Sequence, residues 1–473
     1  MDNRLTRGLY DRSPGFLRSG MASVWGWRKN RTRFGREYTR WARFFADAHR
    51  WSEEELRAYQ ETALREHVAR AFEHVPFWRK RFRELGVEPS AIRTVADLEK
   101  LPLLEKAEVT EAGRDLVSDS CDADALLWFP TSGSTGTPLQ VPRPPAIEAM
   151  EWAFTWTRFC PDVKRGDPYA SFTGLELIPP GREKPPFWVD NWANRQRMYS
   201  IWHMNERNLA HYVADLDRRY SFSYRGYPSA MYVLADFMLR EGLRLRRPPA
   251  HVISASEELQ PQYAETIREA FGCRVWNRWG LNEMSGSITE YACGHLHYDM
   301  DYAVLEFLPI GEEADGILAE IVSTNVHDHA WPLLRYRTGD LVVYDPDDRC
   351  EAGVPGRVIR RIHGRTGHYF TLPDGSRCTN ISVIAKKCRH VRYMQVVQEQ
   401  PGAIVVRIVT TAGYGPEDER DVVQQFRRKL GPELGIEVAY VDALETTSSG
   451  KAISIINRAE PVGSRPAGQL ATF

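Results

Sequence analysis

The sequence predicts an α/β protein with a large, multi-subdomain N-terminal domain of mixed sheets and helices, followed by a small α+β C-terminal domain. Three observations predict it. From about residue 125 to 345 short β-rich runs alternate with helical ones, and after Gly364 the alternation restarts on a smaller scale. The chain of 473 residues, 42% hydrophobic and 26% charged, is also too long for one small module and too apolar for disorder. The expected division is 1–50, an Arg- and Trp-rich extension; 51–364, the large domain; 365–460, the small domain; and 461–473, a flexible tail.

Taken in order, residues 1–40 hold nine Arg and one Lys against Asp2, Asp11 and Glu37. A transit peptide or a nucleic-acid arm would show that bias, but interleaved Trp25, Trp27, Phe34 and Tyr38 favour an extension packed on the body. Ser52 with Glu55 three residues on makes a capping box, after which Leu64, Val68, Ala71 and Val75 share one helical face up to Pro76. A second helical stretch, 77–85, closes at Gly86, and Leu98, Leu101 and Leu103 anchor an irregular segment. Strands are expected at 125–129, 221–225, 251–255 and 274–277, and helices at 229–240 and 261–271. Pro179, Pro180, Pro185 and Pro186 mark a loop whose flanking Trp188 and Trp192 are expected to be buried. Runs 316–324 and 341–344 suggest a smaller β region. In the C-terminal part, strands at 403–409 and 436–441 bracket a helix carrying Val422, Val423, Phe426 and Leu430, and the Thr/Ser/Gly-rich loop 445–450 delivers Lys451.

Lys and Arg total 62 against 63 Asp and Glu, so the net charge of −1 gives no whole-molecule attraction to nucleic acid or to an anionic membrane; an anion must be caught locally. No apolar run approaches the roughly 20 residues of a membrane span, and the N-terminus shows no apolar signal core. Cys121, Cys160, Cys273, Cys293, Cys350, Cys378 and Cys388 are odd in number and scattered, which fits a reduced, cytoplasmic compartment. Oligomeric state is not readable from the sequence.

The strongest local signal is Thr131-Ser132-Gly133-Ser134-Thr135-Gly136-Thr137-Pro138, directly after an apolar run. Hydroxyls and glycines there leave backbone and side-chain donors free to wrap a phosphate. The G-x-x-x-x-G-K-[ST] spacing of a nucleoside-triphosphatase loop is missing, and a flexible linker has no reason to sit between an apolar run and ordered sequence. Four further stretches follow in order: Asn277-Arg278-Trp279-Gly280-Leu281-Asn282-Glu283; Leu334-Arg335-Tyr336-Arg337-Thr338-Gly339-Asp340; Gly364-Arg365; and Ser448-Ser449-Gly450-Lys451. This set resembles the adenylate-forming superfamily of acyl-CoA synthetases, adenylation domains and luciferases. Val75-Pro76-Phe77-Trp78-Arg79, the segment from Leu101 to Lys106, Gly226-Tyr227-Pro228-Ser229 and Cys293-Gly294-His295-Leu296-His297 are most similar to its phenylacetate-CoA ligase branch and capsule-cluster relatives. The resemblance spans roughly residues 65–455.

The resemblance implies an ATP-dependent acid ligase in which a carboxylate attacks the α-phosphate of ATP and the acyl group then passes to a thiol. Thr131, Ser132, Gly133, Ser134, Thr135 and Gly136 would cradle the β- and γ-phosphates, and Glu283 would hold Mg²⁺. Asp340 would accept from both ribose hydroxyls, and Arg365 would bind near ribose and phosphate. Trp279 and Gly280, next to Asn282, would line the adenine side, and Lys451 would bridge the α-phosphate and the acid. The carboxylate pocket is expected between 128–131 and 278–286, with Phe172, Trp188, Trp202 and Tyr227 either walls for an aromatic or other organic acid or ordinary core.

Departures from the family pattern matter. Leu139 stands where many members carry Lys, and Gly367, followed by His368, stands at the hinge of a C-terminal domain that the resemblance implies is mobile. The stretch 371–380 replaces the Gly-containing segment that lines the thiol tunnel. Coenzyme A is therefore the default acceptor, with an amine, and so an amide synthetase, as the rival; a nonenzymatic nucleotide- or partner-binding relative is the alternative of another class. Capsule-cluster relatives carry Cys-x-Cys-Gly where this chain has Cys350 followed by Ala352, so Cys293, His295, His297 and Cys350 are either a Zn²⁺ site of Cys₂His₂ type or plain buried thiols beside histidines.

Overall fold

The computed structural model describes residues 10–124, 126–130, 139–158, 160, 162–179, 181–313, 315–365, 370–373, 377–378, 381, 384, 388–446 and 453–459. They form two compact units, one of the described residues up to 362 and one of those from 363 on. The first begins with helices α1 (Gly15–Arg33), α2 (Arg36–Ala48), α3 (Glu53–His74) and α4 (Pro76–Leu85). The N-terminal extension is thus helical, and Trp41 and Phe45 of α2 bury it beside Phe154 and Tyr302. Trp25 and Trp27, expected to anchor it, stand exposed on α1.

Ser52 caps α3: Glu55 N donates to Ser52 Oγ at 3.2 Å, and Ser52 N donates to the Glu55 carboxylate at 2.7 Å. Leu64, Val68, Ala71 and Val75 are wholly buried along that helix, Pro76 opens α4, and Gly86 at φ +62° ends it. Beyond it Leu98, Leu101 and Leu104 are buried, whereas Leu103 is half-exposed. The anchor shifts by one residue because Leu104 bridges Tyr336, its N–H donating to Arg335 O at 2.9 Å.

After α5 (Lys106–Ala112), strands β1 (Leu127–Pro130) and β2 (Gln140–Arg143) pair antiparallel, and α6 (Pro145–Arg158) follows. The larger sheet takes β3 (Tyr169–Thr173), β4 (Trp188–Asn191), β5 (Gln196–Ser200), β6 (Ser223–Gly226), β7 (His251–Ser254), β8 (Arg274–Gly280), β9 (Ser287–Glu290) and β10 (Leu296–Tyr298). Helices α7 (Glu206–Arg218), α8 (Pro228–Arg240) and α9 (Pro261–Phe271) lie in the crossovers. β5, β3, β6, β7 and β8 are neighbours in that order and mutually parallel, whereas β9 turns back antiparallel to β8. Phe172, Tyr199, Tyr212, Tyr224, Met231, Leu234 and Phe271 form the core under the sheet. Trp192 is 55% exposed, against expectation, on a short turn whose amide Ser23 Oγ accepts at 2.9 Å.

A second sheet is built from β11 (Val304–Glu313), β12 (Gly316–Thr324) and β13 (Tyr336–Tyr344), with β14 (Val358–Ile359) instead closing the large sheet beside β10. The chain leaves this unit in β15 (Arg361–Arg365). In the second unit a short hairpin, β16 (Phe370–Thr371) and β17 (Arg377–Cys378), precedes β18 (Val391–Gln400), β19 (Ala403–Thr410), α10 (Pro416–Leu430), β20 (Gly435–Tyr440) and β21 (Ile455–Asn457). The sheet order is β20-β19-β18-β21, and α10 packs on it through Val422 and Phe426, with Val396, Val406 and Ile408 beneath. Among the described residues no helix is long and apolar enough to cross a membrane.

Candidate functional site

In open sheets of parallel strands ligands gather at the carboxyl ends of the strands. β8 ends there at Gly280, and the chain turns through 281–286 into β9, so sequence alone puts Asn282 and Glu283 at that edge. Several contacts fix the turn. Ser285 Oγ meets Ser323 Oγ of β12 at 2.9 Å, and Arg143 at the end of β2 donates to Asn282 Oδ1 at 2.5 Å. Gly286 is required here, since a Cβ would lie 2.9 Å from both the Trp279 ring and Leu305. The Trp279 indole is buried with Ile288 and Leu305, so it braces the turn, while Gly280 is exposed.

Glu283 is buried, and Tyr336 Oη donates to its Oε1 at 3.2 Å. It makes no ion pair with a described cationic side chain, an arrangement that leaves a buried carboxylate ready for a cation. Asp340 lies four residues beyond Tyr336 on β13 and is equally buried; its N–H donates to Thr338 Oγ1 at 3.1 Å, and Thr338 in turn donates to Ile321 O at 2.8 Å. Gly339 at φ +75° supports the local irregularity in the β12–β13 pairing between Glu320 and Val322, a bulge of the kind that re-aims a side chain.

The two arginines of the same motif are structural. Arg335 Nη2 donates to Glu306 at 2.8 Å and its Nη1 to Leu101 O at 2.6 Å; Arg337 pairs with Glu320 at 2.7 Å and with Glu105 at 2.9 Å. Burial raises the Glu306 carboxyl despite that partner, and hydrogen bonds to Glu320 raise the Arg337 guanidinium. The bonds to Leu101 O and Glu105 tie the 101–106 segment to the start of β13. Tyr336 is the residue that sequence reasoning passed over; its signal was an aromatic four residues before the acidic end of the motif.

Of the other expected site residues, 131–138 and Lys451 lie outside the described residues, as do Gly367 and His368; of Arg365 only the backbone, in β15, is described. Leu139 is buried with Val141 in the α3–α4 core, a position where a lysine would lose its solvation. Phe172 stacks on Tyr199 with centroids 5.0 Å apart and Trp188 packs on Tyr199 and Tyr212, so both are core and not walls. Trp202 is half-exposed and Tyr227 is buried beside the same core. Arg278 is held by both Glu151 oxygens, at 2.7 and 3.0 Å.

A second cluster stands at the far edge of the large sheet. The β9–β10 hairpin turns tightly, with Gly294 N donating to Tyr291 O at 2.9 Å, and brings Cys293, His295 and His297 round one point. Cys350 arrives from the turn before β14, and the four potential ligand atoms all lie within 4.8 Å of one another. Cys293 Sγ is 3.5 Å from His297 Nε2, and the other ring nitrogen of His297 faces Gly356 O at 3.3 Å, as a ligand histidine's second nitrogen does. Gly356 has φ +83°, and a Cβ there would strike Tyr298 O at 2.4 Å. Burial raises the Cys293 thiol; at Cys350 burial acts the same way but hydrogen bonds from His295 and the Ala352 and Val354 amides outweigh it and lower the thiol. Metal–ligand lengths of about 2.0–2.3 Å put tetrahedral donors roughly 3.3–3.8 Å apart, so a Cys₂His₂ set fits this cluster with small adjustments. His295 supplies the fourth candidate donor atom, which Ala352 cannot.

With this geometry in hand, comparison with known proteins is direct. Residues 372–458 match the CapK C-terminal domain. Protein CapK of Staphylococcus aureus is 23% identical over 373 residues, 77% of this chain and 81% of that one. A phenylacetate-coenzyme A ligase of Thermus thermophilus is 26% identical over 416 residues, 82% of this chain and 86% of its own. Among solved structures, 2-hydroxyisobutyryl-CoA ligase in the postadenylation state, complexed with R3-HIB-AMP, superposes with a TM-score of 0.65 at 18% identity, covering 86% of this chain and 90% of that one.

Proposed function

We propose that the chain is a member of the adenylate-forming superfamily, beside the phenylacetate-CoA ligases and CapK that it is similar to, and that it works as an AMP-forming acid ligase in two steps. In the first, a carboxylate oxygen of the acid attacks the α-phosphorus of ATP, the bond to the bridging oxygen breaks, and acyl-adenylate and pyrophosphate result. In the second, an acceptor thiol, by default that of coenzyme A, attacks the acyl carbonyl, gives up its proton and expels AMP. The observation that carries the reading is the coupling of buried Glu283, through Tyr336, to the strand that also bears Asp340.

Asp340 offers two acceptor oxygens to the ribose diol. Glu283 is the residue that would hold Mg²⁺, an ion that neutralises charge on the triphosphate. Thr131 to Gly136, Arg365 and Lys451 keep the phosphate-binding roles that the resemblance implies. With Phe172 and Trp188 committed to the core, Trp202 and Tyr227 remain as contacts for an aromatic or other organic acid. We further assign Cys293, His295, His297 and Cys350 as the ligands of a structural zinc, which would pin the β9–β10 hairpin to the 345–353 turn.

ATP/pyrophosphate exchange across a panel of carboxylates tests the first step. Asp340→Ala and Lys451→Ala are each expected to slow exchange by ~100-fold or more. Failure of every acid in the panel to stimulate exchange, or wild-type exchange by both variants, removes the proposal. Adding coenzyme A and then amines, with product masses read, decides the acceptor: an amide without acyl-CoA makes the chain an amide synthetase. For the metal, elemental analysis of the purified chain should give about one zinc per chain; a trace amount disproves the assignment.

A further inference from the structure

Helix α1 packs inside out. Its buried side is Arg18, Ser19, Ala22 and Gly26, small apart from the arginine. The fit is close: Asp190 N of β4 donates to Ser19 Oγ at 3.1 Å, and a Cβ on Gly26 would lie 2.4 Å from Asn191 Oδ1. On the opposite face, Phe16, Gly20, Val24, Trp27 and Arg31 succeed one another at helical spacing, with Leu17 and Arg28 beside them. Phe16 is 69% exposed, Val24 60% and Trp27 54%. With Leu17 and Trp25, α1 carries five of the twelve exposed large hydrophobic side chains among the described residues, and exposed Trp192 sits against it. Exposed Phe16, Leu17, Val24 and Trp27 gathered on one helix face in this way mark an interface.

Charge says with what. The helix holds Arg18, Arg28, Lys29, Arg31 and Arg33 and no acid at all, and Arg28, Lys29 and Arg31 pair with no described carboxylate. The Arg31 guanidinium lies 4.7 Å from the Trp27 ring centre, so cation and aromatic face outward together. A second copy laid on this face would oppose like charges. A bilayer with anionic headgroups would accept both components, taking phenyl and indole rings at the interface and arginines on the phosphates. We propose that α1 docks the protein on an anionic lipid surface, lying along it without crossing it.

Sedimentation of the full chain with vesicles tests this. Binding is expected to phosphatidylglycerol/phosphatidylcholine vesicles, and to fall steeply as salt is raised; phosphatidylcholine alone should bind weakly. The double variant Arg28→Ser, Arg31→Ser should weaken binding by ~30-fold, and Val24→Ser with Trp27→Ser should weaken it as well, both with melting temperature unchanged because these side chains are exposed. A chain that stays in the supernatant with phosphatidylglycerol overturns the proposal. So does binding that neither variant reduces, or a dimer in analytical ultracentrifugation that Val24→Ser with Trp27→Ser dissolves, which would give the face to a second copy.

Discussion

Two arginine-rich stretches of the molecule treat their charges in opposite ways. At the start of β13 both arginines are answered from within, Arg335 just before the strand by Glu306 and Arg337 on it by Glu320 and Glu105, with Tyr336 between them 2% exposed. On α1, Arg28, Lys29 and Arg31 meet no described acid, and their aromatic neighbours are turned outward. Internal pairing makes a rigid frame able to hold Glu283 and Asp340 in place, as preorganised catalysis requires. Unpaired charge beside exposed rings fixes nothing inside and is available to something outside.

If that contrast is right, equivalent substitutions must differ in effect. Arg335→Met leaves Glu306 buried and uncompensated and should cost ~3–5 kcal/mol in urea unfolding, while Arg31→Met should stay within ~0.5 kcal/mol. Equal losses at both positions would break the comparison. Tyr336→Phe asks a finer question of the same strand. Loss of the 3.2 Å bond to Glu283 should slow ATP/pyrophosphate exchange by ~10-fold with ~1 kcal/mol or less of stability lost. Unchanged exchange, measured beside unfolding on one sample, would mean that the tyrosine does not position Glu283.

Much of this was readable from the chain, for local reasons. The α3 cap needs only Ser52 and Glu55, and the α4 stop needs only Gly86, so both were visible. The candidate acids Glu283 and Asp340 were visible because each ends a distinctive motif. What escaped was set by tertiary partners. β3 was missed because both of its faces are buried, which removes the alternation that announces a strand. The structural roles of Arg335 and Arg337 depend on Glu306, Glu320 and Glu105, distant in sequence. Trp25 and Trp27 were misplaced because aromatic residues usually point inward; the counter-signal was Ser19, Ala22 and Gly26 on one helical face and no acid from 15 to 33.

A pH-dependent effect comes from the titratable groups buried beside β13. The 325–335 loop that leads into β13 holds Asp328, whose Oδ1 accepts from Ala330 and Trp331 amides at 3.1 and 3.2 Å; burial pushes its carboxyl up to about 7. Burial also holds His327 down at about 4 and lowers His67 and His329, whose Nδ1 atoms lie 3.1 Å apart. The signs oppose. Between about pH 4 and 7 the folded chain keeps a proton on Asp328 that the unfolded chain gives up, so stability from this group falls as pH rises. Below about pH 6.5 the unfolded chain protonates histidines that the folded chain keeps neutral, so stability falls as pH drops. Asp328→Asn keeps the Oδ1 acceptor without the buried charge. It should raise stability at pH 8 by ~1 kcal/mol or more, lose most of that gain near pH 4, and leave the acid limb in place. Denaturation across this pH range reads it, and a pH-independent gain would show that Asp328 does not titrate with folding. Over the same range α1 offers no Asp, Glu or His, so Trp27→Ser should leave stability unchanged at every pH.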